Sequence, residues 1–245
     1  MGKEKAMKKR TKIFIAVICV ITALAAATGI YANSYYRAVN VEAYLTSDST
    51  VAFKETEKGY FFDGPGEEKA LIFYPGAKVE ETAYAPLLHS LAEQGVDCFL
   101  IKAPMKLTIL DGDAADDIRN AYSYKHYYLA GHSLGGYSAA NYSANHLDEY
   151  DGLFLLAAYP GEDLTKAAFP VVFIYGDNDG VLNRERLERG FTLSPGSYQS
   201  VIIKGGNHSN FGSYGAQKGD GEAKITAEEQ QKITVDEILK AIGKE

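Results

Sequence analysis

Two kinds of hydrophobic patterning divide this chain. Residues 13–32 form a run of twenty positions without a charge. As a helix, that length spans a bilayer. From Ala70 onward the pattern changes, and short continuous apolar runs alternate with segments of helical spacing. Residues 70–74, 96–101, 126–130, 152–157 and 171–175 read as buried strands, with 198–203 as a weaker one. Residues 82–94 carry Ala83, Leu87, Leu88 and Leu91 on one helical face and stop at Gly95. Residues 113–122, 136–146 and 226–242 read as the other helices, the last with acidic residues early and Lys240 late, as the helix dipole prefers. Upstream, residues 39–46, 50–55 and 59–62 read as short strands, antiparallel at one edge, and residues 33–38 as a linker. Buried strands alternating with helices predict an α/β fold: a mostly parallel sheet with helices on both faces.

Charge sharpens the division. Lys3, Lys5, Lys8, Lys9, Arg10 and Lys12 precede the apolar run, against Glu4 alone. The positive-inside rule keeps such a basic flank, residues 1–12, in the cytoplasm. Residues 13–32 are then a transmembrane signal anchor on a single-pass chain, with residues 39–245 as an extracellular domain at the cell membrane. Cleavage after residues 23–25 and secretion is the alternative, but the apolar run continues past them through Ile30 and Tyr31. Residues 33–245 carry 19 Lys and Arg against 31 Asp and Glu, a formal charge of −12. That disfavours nucleic acid as a partner, since phosphate binding needs a basic face. Cys19 in the apolar run and Cys98 in a strand offer no disulfide framework.

Ligands of parallel sheets bind beyond the carboxyl ends of the strands, so a candidate residue should lie just after one. Ser133 meets this condition within Gly131-His132-Ser133-Leu134-Gly135, a G-x-S-x-G between a strand and a helix. Asp177 and Asp179 follow the strand at 171–175, and His208 follows the strand at 198–203. A serine hydroxyl is a weak nucleophile until a histidine takes its proton. That histidine in turn needs a carboxylate to fix its tautomer and stabilise its charge. His132 reads as packing, His89 and His146 as surface or capping residues, and His126 as a strand start. No His/Cys/Asp spacing suits zinc, and no G-x-G-x-x-G links a strand to a helix, so neither a metal nor a cofactor is expected.

From about Ala70 onward the chain resembles the α/β-hydrolase family, in its small, lidless, esterase-like form. The resemblance rests on Tyr74-Pro75-Gly76-Ala77-Lys78-Val79, Gly131-His132-Ser133-Leu134-Gly135-Gly136, Gly176-Asp177-Asn178-Asp179-Gly180 and Gly205-Gly206-Asn207-His208, in that order. It implies Ser133 as nucleophile, His208 as base and Asp179, three positions after the glycine closing its strand, as the acid. Asp177 then reads as a turn residue bonded to its own backbone. The resemblance also implies an oxyanion hole built from the N–H of Leu134 and that of Ala77 or Lys78. The expected function is hydrolysis of an ester-like, small-molecule acyl substrate. Peptidase, thioesterase and acyltransferase chemistry use the same constellation, and a catalytically silent binding domain is the reading from another class. Only 46 residues separate Ser133 from Asp179, which leaves little room for a lid. Residues 210–221 either wrap the site or form a surface loop, and residues 104–107 are expected to line the pocket.

Overall fold

The structure is a computed structural model that describes residues 2–243, with side chains from Thr11 onward. The basic cluster from Lys3 to Arg10 lies outside the described side chains. The chain divides into two units between Tyr35 and Tyr36.

The first unit is one helix, α1 (Gly2–Asn33). Its segment Thr11–Asn33 is long and apolar enough to cross a membrane. Its large apolar side chains, including Ile13, Phe14, Ile21 and Leu24, are exposed.

The second unit is an eight-stranded sheet in the order β1-β2-β4-β3-β5-β6-β7-β8. The strands are β1 (Ala52–Thr56), β2 (Gly59–Asp63), β3 (Lys69–Tyr74), β4 (Asp97–Ile101), β5 (His126–His132), β6 (Gly152–Leu156), β7 (Val171–Gly176) and β8 (Gln199–Ile203). β1 and β2 are antiparallel at one edge, β2 runs antiparallel to β4, and β3 to β8 are parallel. Strand alternation feeds two cores. Leu71 and Phe73 face α2 (Ala85–Glu93) and α6 (Ala227–Ile242). Ala70, Ile72 and Tyr74 face α3 (Ala114–Ala121), α4 (Leu134–Ser143) and α5 (Arg184–Thr192). The chain passes from β3 to β4 on one side and from there back across to β5 on the other. The sheet order therefore reverses about β3, and open sheets bind ligands beyond the strand ends at such a reversal.

Three sequence expectations change. Residues 39–46 are not a strand: Glu42–Leu45 is a 3-10 turn without a buried residue, so no sheet edge is there to pair with. The expected linker is partly docked, because Tyr36 donates its N–H to the Lys78 carbonyl at 2.7 Å and its carbonyl accepts from Glu80 N–H at 2.8 Å. Helix α5 was not anticipated. It reads Arg-Glu-Arg-Leu-Glu-Arg-Gly-Phe-Thr, and only Leu187 and Gly190 are buried. Two contacts give no periodicity to read, but Asn183 caps the helix by accepting the Arg186 N–H at 2.9 Å.

Candidate active site

Ser133 sits between β5 and α4 with φ 54° and ψ −123°. A side-chain-bearing residue rarely adopts that backbone, and it holds only where the surroundings enforce it. Neighbouring glycines make the space. A Cβ on Gly135 would lie 2.1 Å from the Tyr74 carbonyl oxygen and 2.4 Å from that of Pro75. The start of α4 thus rests directly on the backbone that leaves β3. Ser133 N–H donates to the Leu156 carbonyl at 2.9 Å, which ties the turn to the end of β6. Leu134 begins the helix, so its N–H has no intrahelical acceptor and stands at the positive end of the helix dipole.

The loop after β3 is fixed through its amides. Gly76 N–H donates to the Tyr84 hydroxyl at 3.0 Å, and that hydroxyl pairs with His132 Nδ1 at 2.8 Å. Lys78 N–H donates to the Lys106 carbonyl at 2.8 Å, and Val79 N–H reaches back to the Gly76 carbonyl at 3.4 Å. The Lys106 ammonium pairs with the buried Glu81 carboxylate. Among the described residues, no hydrogen bond engages the Ala77 N–H. The two N–H groups that the sequence left as alternatives are therefore not equivalent: that of Lys78 is already used.

His208 is buried, and its Nδ1 lies 2.9 Å from Asp179 Oδ2. The other oxygen of Asp179 accepts the N–H groups of Val181 at 2.8 Å and Leu182 at 2.7 Å. Burial alone would raise the Asp179 pKa. The His208 bond and these two amides outweigh it and hold the carboxyl below the usual carboxylate range. The loops carrying the two residues touch: a Cβ on Gly176 would lie 2.2 Å from the Gly206 carbonyl oxygen. Asp177 does not bond its own turn; it accepts the Gly205 N–H at 2.6 Å, which ties the acid loop to the histidine loop.

Other residues that hold this arrangement escaped the sequence reading. Asp220 accepts the N–H groups of Gly180, His208, Ser209 and Gly221 at 2.8–3.2 Å. Residues 210–221 therefore grip the acid and histidine loops from behind, and the only sequence hint was an Asp between Gly219 and Gly221. Gln230, fully buried on α6, brackets Asn207 by accepting its N–H at 3.0 Å and donating to its carbonyl at 2.8 Å. Residues 104–107 do not line the cleft beside Ser133; they brace the loop after β3.

Ser133, Leu134 and His208 open onto one cleft of about 390 Å³. That is within the range of small-molecule sites. His208 Nε2 is buried and makes no hydrogen bond among the described residues, so the bond from His208 to Ser133 is not formed here. Catalytic hydrogen bonds in unliganded sites commonly tighten only with substrate. A larger cavity of about 840 Å³ lies along α2 and α6 and contains neither Ser133 nor His208.

The remaining histidines separate by burial. His132 packs with its ring centroid 4.6 Å from that of His208. Burial first, and His208 second, push its pKa well below the ordinary value, so it stays neutral. His89 is not a surface residue: it is buried, bonded through Nε2 to Asp48 at 3.0 Å, with Glu93 3.8 Å from Nδ1. Ligand atoms of these three residues lie within 4.8 Å of one another. Asp48 makes the hydrogen bond to the ring, and Glu93 lies beyond hydrogen-bond distance. His146 pairs with Glu149, and His126 lies 3.4 Å from Asp151.

Comparison with known proteins decides the family. The alpha/beta hydrolase family matches residues 70–232. The chain belongs to that family. The match runs from β3 into α6 and takes in every residue named above from Ala77 to His208. No curated protein matches the chain in sequence. Solved structures share the fold of this hydrolase. Est1E from Butyrivibrio proteoclasticus is 17% identical with a TM-score of 0.54, over 80% of this chain and 100% of that one. Carboxylesterase CesB from Bacillus subtilis is 14% identical with a TM-score of 0.57, over 83% and 94%. Alpha/beta hydrolase domain-containing protein 10 from mouse is 11% identical with a TM-score of 0.58, over 80% and 99%.

Two consequences can be measured. Replacing Gln230 by Ala leaves the buried N–H and carbonyl of Asn207 unpaired, and chemical unfolding should record a loss of about 2 kcal/mol or more. Asp179 binds its proton less tightly folded than unfolded. Its contribution to stability is therefore present above the unfolded carboxyl value of about 4 and is lost as pH falls through the depressed folded value. Acid titration of stability should show this loss in the wild type and lack it in Asp179→Asn.

Proposed function

We propose that this hydrolase cleaves ester-like acyl substrates through Ser133, His208 and Asp179. The observation that carries the reading is the shared cleft: a serine on a strained strand-to-helix turn opens onto it together with a histidine backed by a buried carboxylate. Ser133 Oγ attacks the acyl carbon and forms the new C–O bond while His208 Nε2 takes its proton. The imidazolium that results is stabilised by Asp179, which its three hydrogen bonds keep ionised. As the tetrahedral intermediate collapses, the ester C–O bond breaks and His208 returns the proton to the departing alkoxide. Water then attacks the acyl-enzyme and its proton passes to His208, which returns it to Ser133 Oγ as the acyl C–Oγ bond breaks and the acid is released.

Leu134 and Ala77 supply the oxyanion donors in this reading. The hydrogen bonds of Gly76 and Lys78 support the choice of Ala77. Each such donor typically contributes about 3 kcal/mol to the transition state. Neutral His132 supports the chemistry in a second way, since a charged ring beside His208 would oppose the imidazolium. The short route from β6 to α5 and the small cleft favour compact, accessible substrates. The apolar helix α1 holds the domain at the outer face of the membrane, with its basic end inside.

A fluorophosphonate probe should label Ser133 and leave Ser133→Ala unlabelled. His208→Ala should lower the turnover of short p-nitrophenyl esters by at least about a thousandfold. An unlabelled wild type overturns the reading. For the anchor, intact-mass measurement of protein from membranes should find residues 13–32 retained, and a mature N-terminus near Ala26 would show a cleaved signal instead.

A further inference from the structure

The charge of the cleft runs against the charge of the domain. Residues 33–245 carry an excess of twelve acidic groups. Yet no acidic side chain lines the cleft that holds Ser133 and His208, and its one fixed charge is the guanidinium of Arg186. Arg186 stands in the first turn of α5, where a cation is disfavoured by the helix dipole. Its backbone N–H is used by the Asn183 cap. Its exposed side chain makes no ion pair, ring contact or hydrogen bond among the described residues. Neighbouring Arg184, by contrast, is spent on structure: it donates to the Gly176 carbonyl at 2.9 Å and lies over the Tyr175 ring. Tyr137 and Tyr159 line the same cleft with half-buried side chains whose hydroxyls also bond to no described residue. A cation with no partner among the described residues, at the unfavourable end of its helix and in a cleft that lacks acids, is arranged for an anion supplied from outside.

We infer that Arg186 selects small esters that carry a carboxylate, pairing with that group while the ester carbonyl sits at Ser133. A guanidinium presents two parallel donors that match the two oxygens of a carboxylate, and such pairs are stronger than neutral hydrogen bonds. The Tyr137 and Tyr159 hydroxyls can donate to the same group. The inference rests on the serine-hydrolase reading above and adds the substrate class to it.

The test compares matched esters, one with and one without a carboxylate. On the acyl side the pair is p-nitrophenyl monoadipate and p-nitrophenyl hexanoate. On the alcohol side it is para-acetoxybenzoate and its methyl ester. The measured quantity is the ratio of kcat/KM, anionic over neutral, for the full-length protein. In the wild type at least one ratio should exceed one and fall as salt is added. Arg186→Gln should lower that ratio about 10- to 100-fold, Arg186→Lys should restore part of it, and Arg186→Glu should lower it further. Fluorophosphonate labelling of Ser133 in each variant checks that the site is formed. If Ser133 is labelled and both ratios are the same in wild type and Arg186→Gln, the carboxylate proposal is overturned and the hydrolase reading stands. If the wild type is neither labelled nor active on any of the four esters, both are overturned.

Discussion

The backbone of Ser133, held at a positive φ, is the constraint around which the rest of the site is arranged. A turn that sharp leaves no room for side chains beside it, so Gly135 has the Tyr74 and Pro75 carbonyls where its own Cβ would be. That contact brings the end of β3 against the start of α4. It also places the loop after β3 next to the first free N–H of the helix. Once there, the loop is tied at Gly76 by Tyr84 and at Lys78 by Lys106, which leaves Ala77 N–H between two fixed points. One strained residue and one glycine thus account for the meeting of three separate segments.

On the opposite wall the organising groups are carboxylates, and they act on backbone amides rather than on cations. Asp177 accepts one N–H, Asp179 two and Asp220 four, in addition to the bond from Asp179 to His208. Hydrogen bonds to a charged acceptor are stronger than neutral ones. Their directions also fix loops that a hydrophobic contact could not orient. This use explains part of the acidic excess of the domain. Three of its carboxylates serve as anchors for loops near the site, and they do so without lining the cleft.

The parallel strands were legible because burial on both faces makes them continuous apolar runs, and α2 was legible through Leu87, Leu88 and Leu91 on one face. Ser133 was legible because its turn demands glycines at fixed spacing and His208 because it follows a strand end, whereas that rule left Asp177 beside Asp179 and the family resemblance chose between them. What could not be read was set by tertiary partners. Tyr84 looks like any core aromatic until its hydroxyl meets Gly76 and His132. His89 looks like a surface histidine until Asp48 arrives from residues far away in sequence. Val41, buried just before a 3-10 turn, imitates the start of a strand.

Helix α5 shows why the substrate is less legible than the reaction. A helix is recognised in sequence by the face it buries, and α5 buries almost nothing. Its polar residues face solvent or the cleft, where no packing rule restricts them. The proposed reacting groups must satisfy geometry shared by every protein that uses this turn, so their spacing repeats. A wall that meets the substrate answers only to that substrate, and its residues carry no periodic signal. Arg186 becomes conspicuous only when its surroundings are known: the absence of an acidic partner, the unfavourable helix end and the neighbouring serine are all facts of folding. In this fold the proposed chemistry is written in motifs, whereas the proposed selectivity is written in the contacts that a side chain does not make.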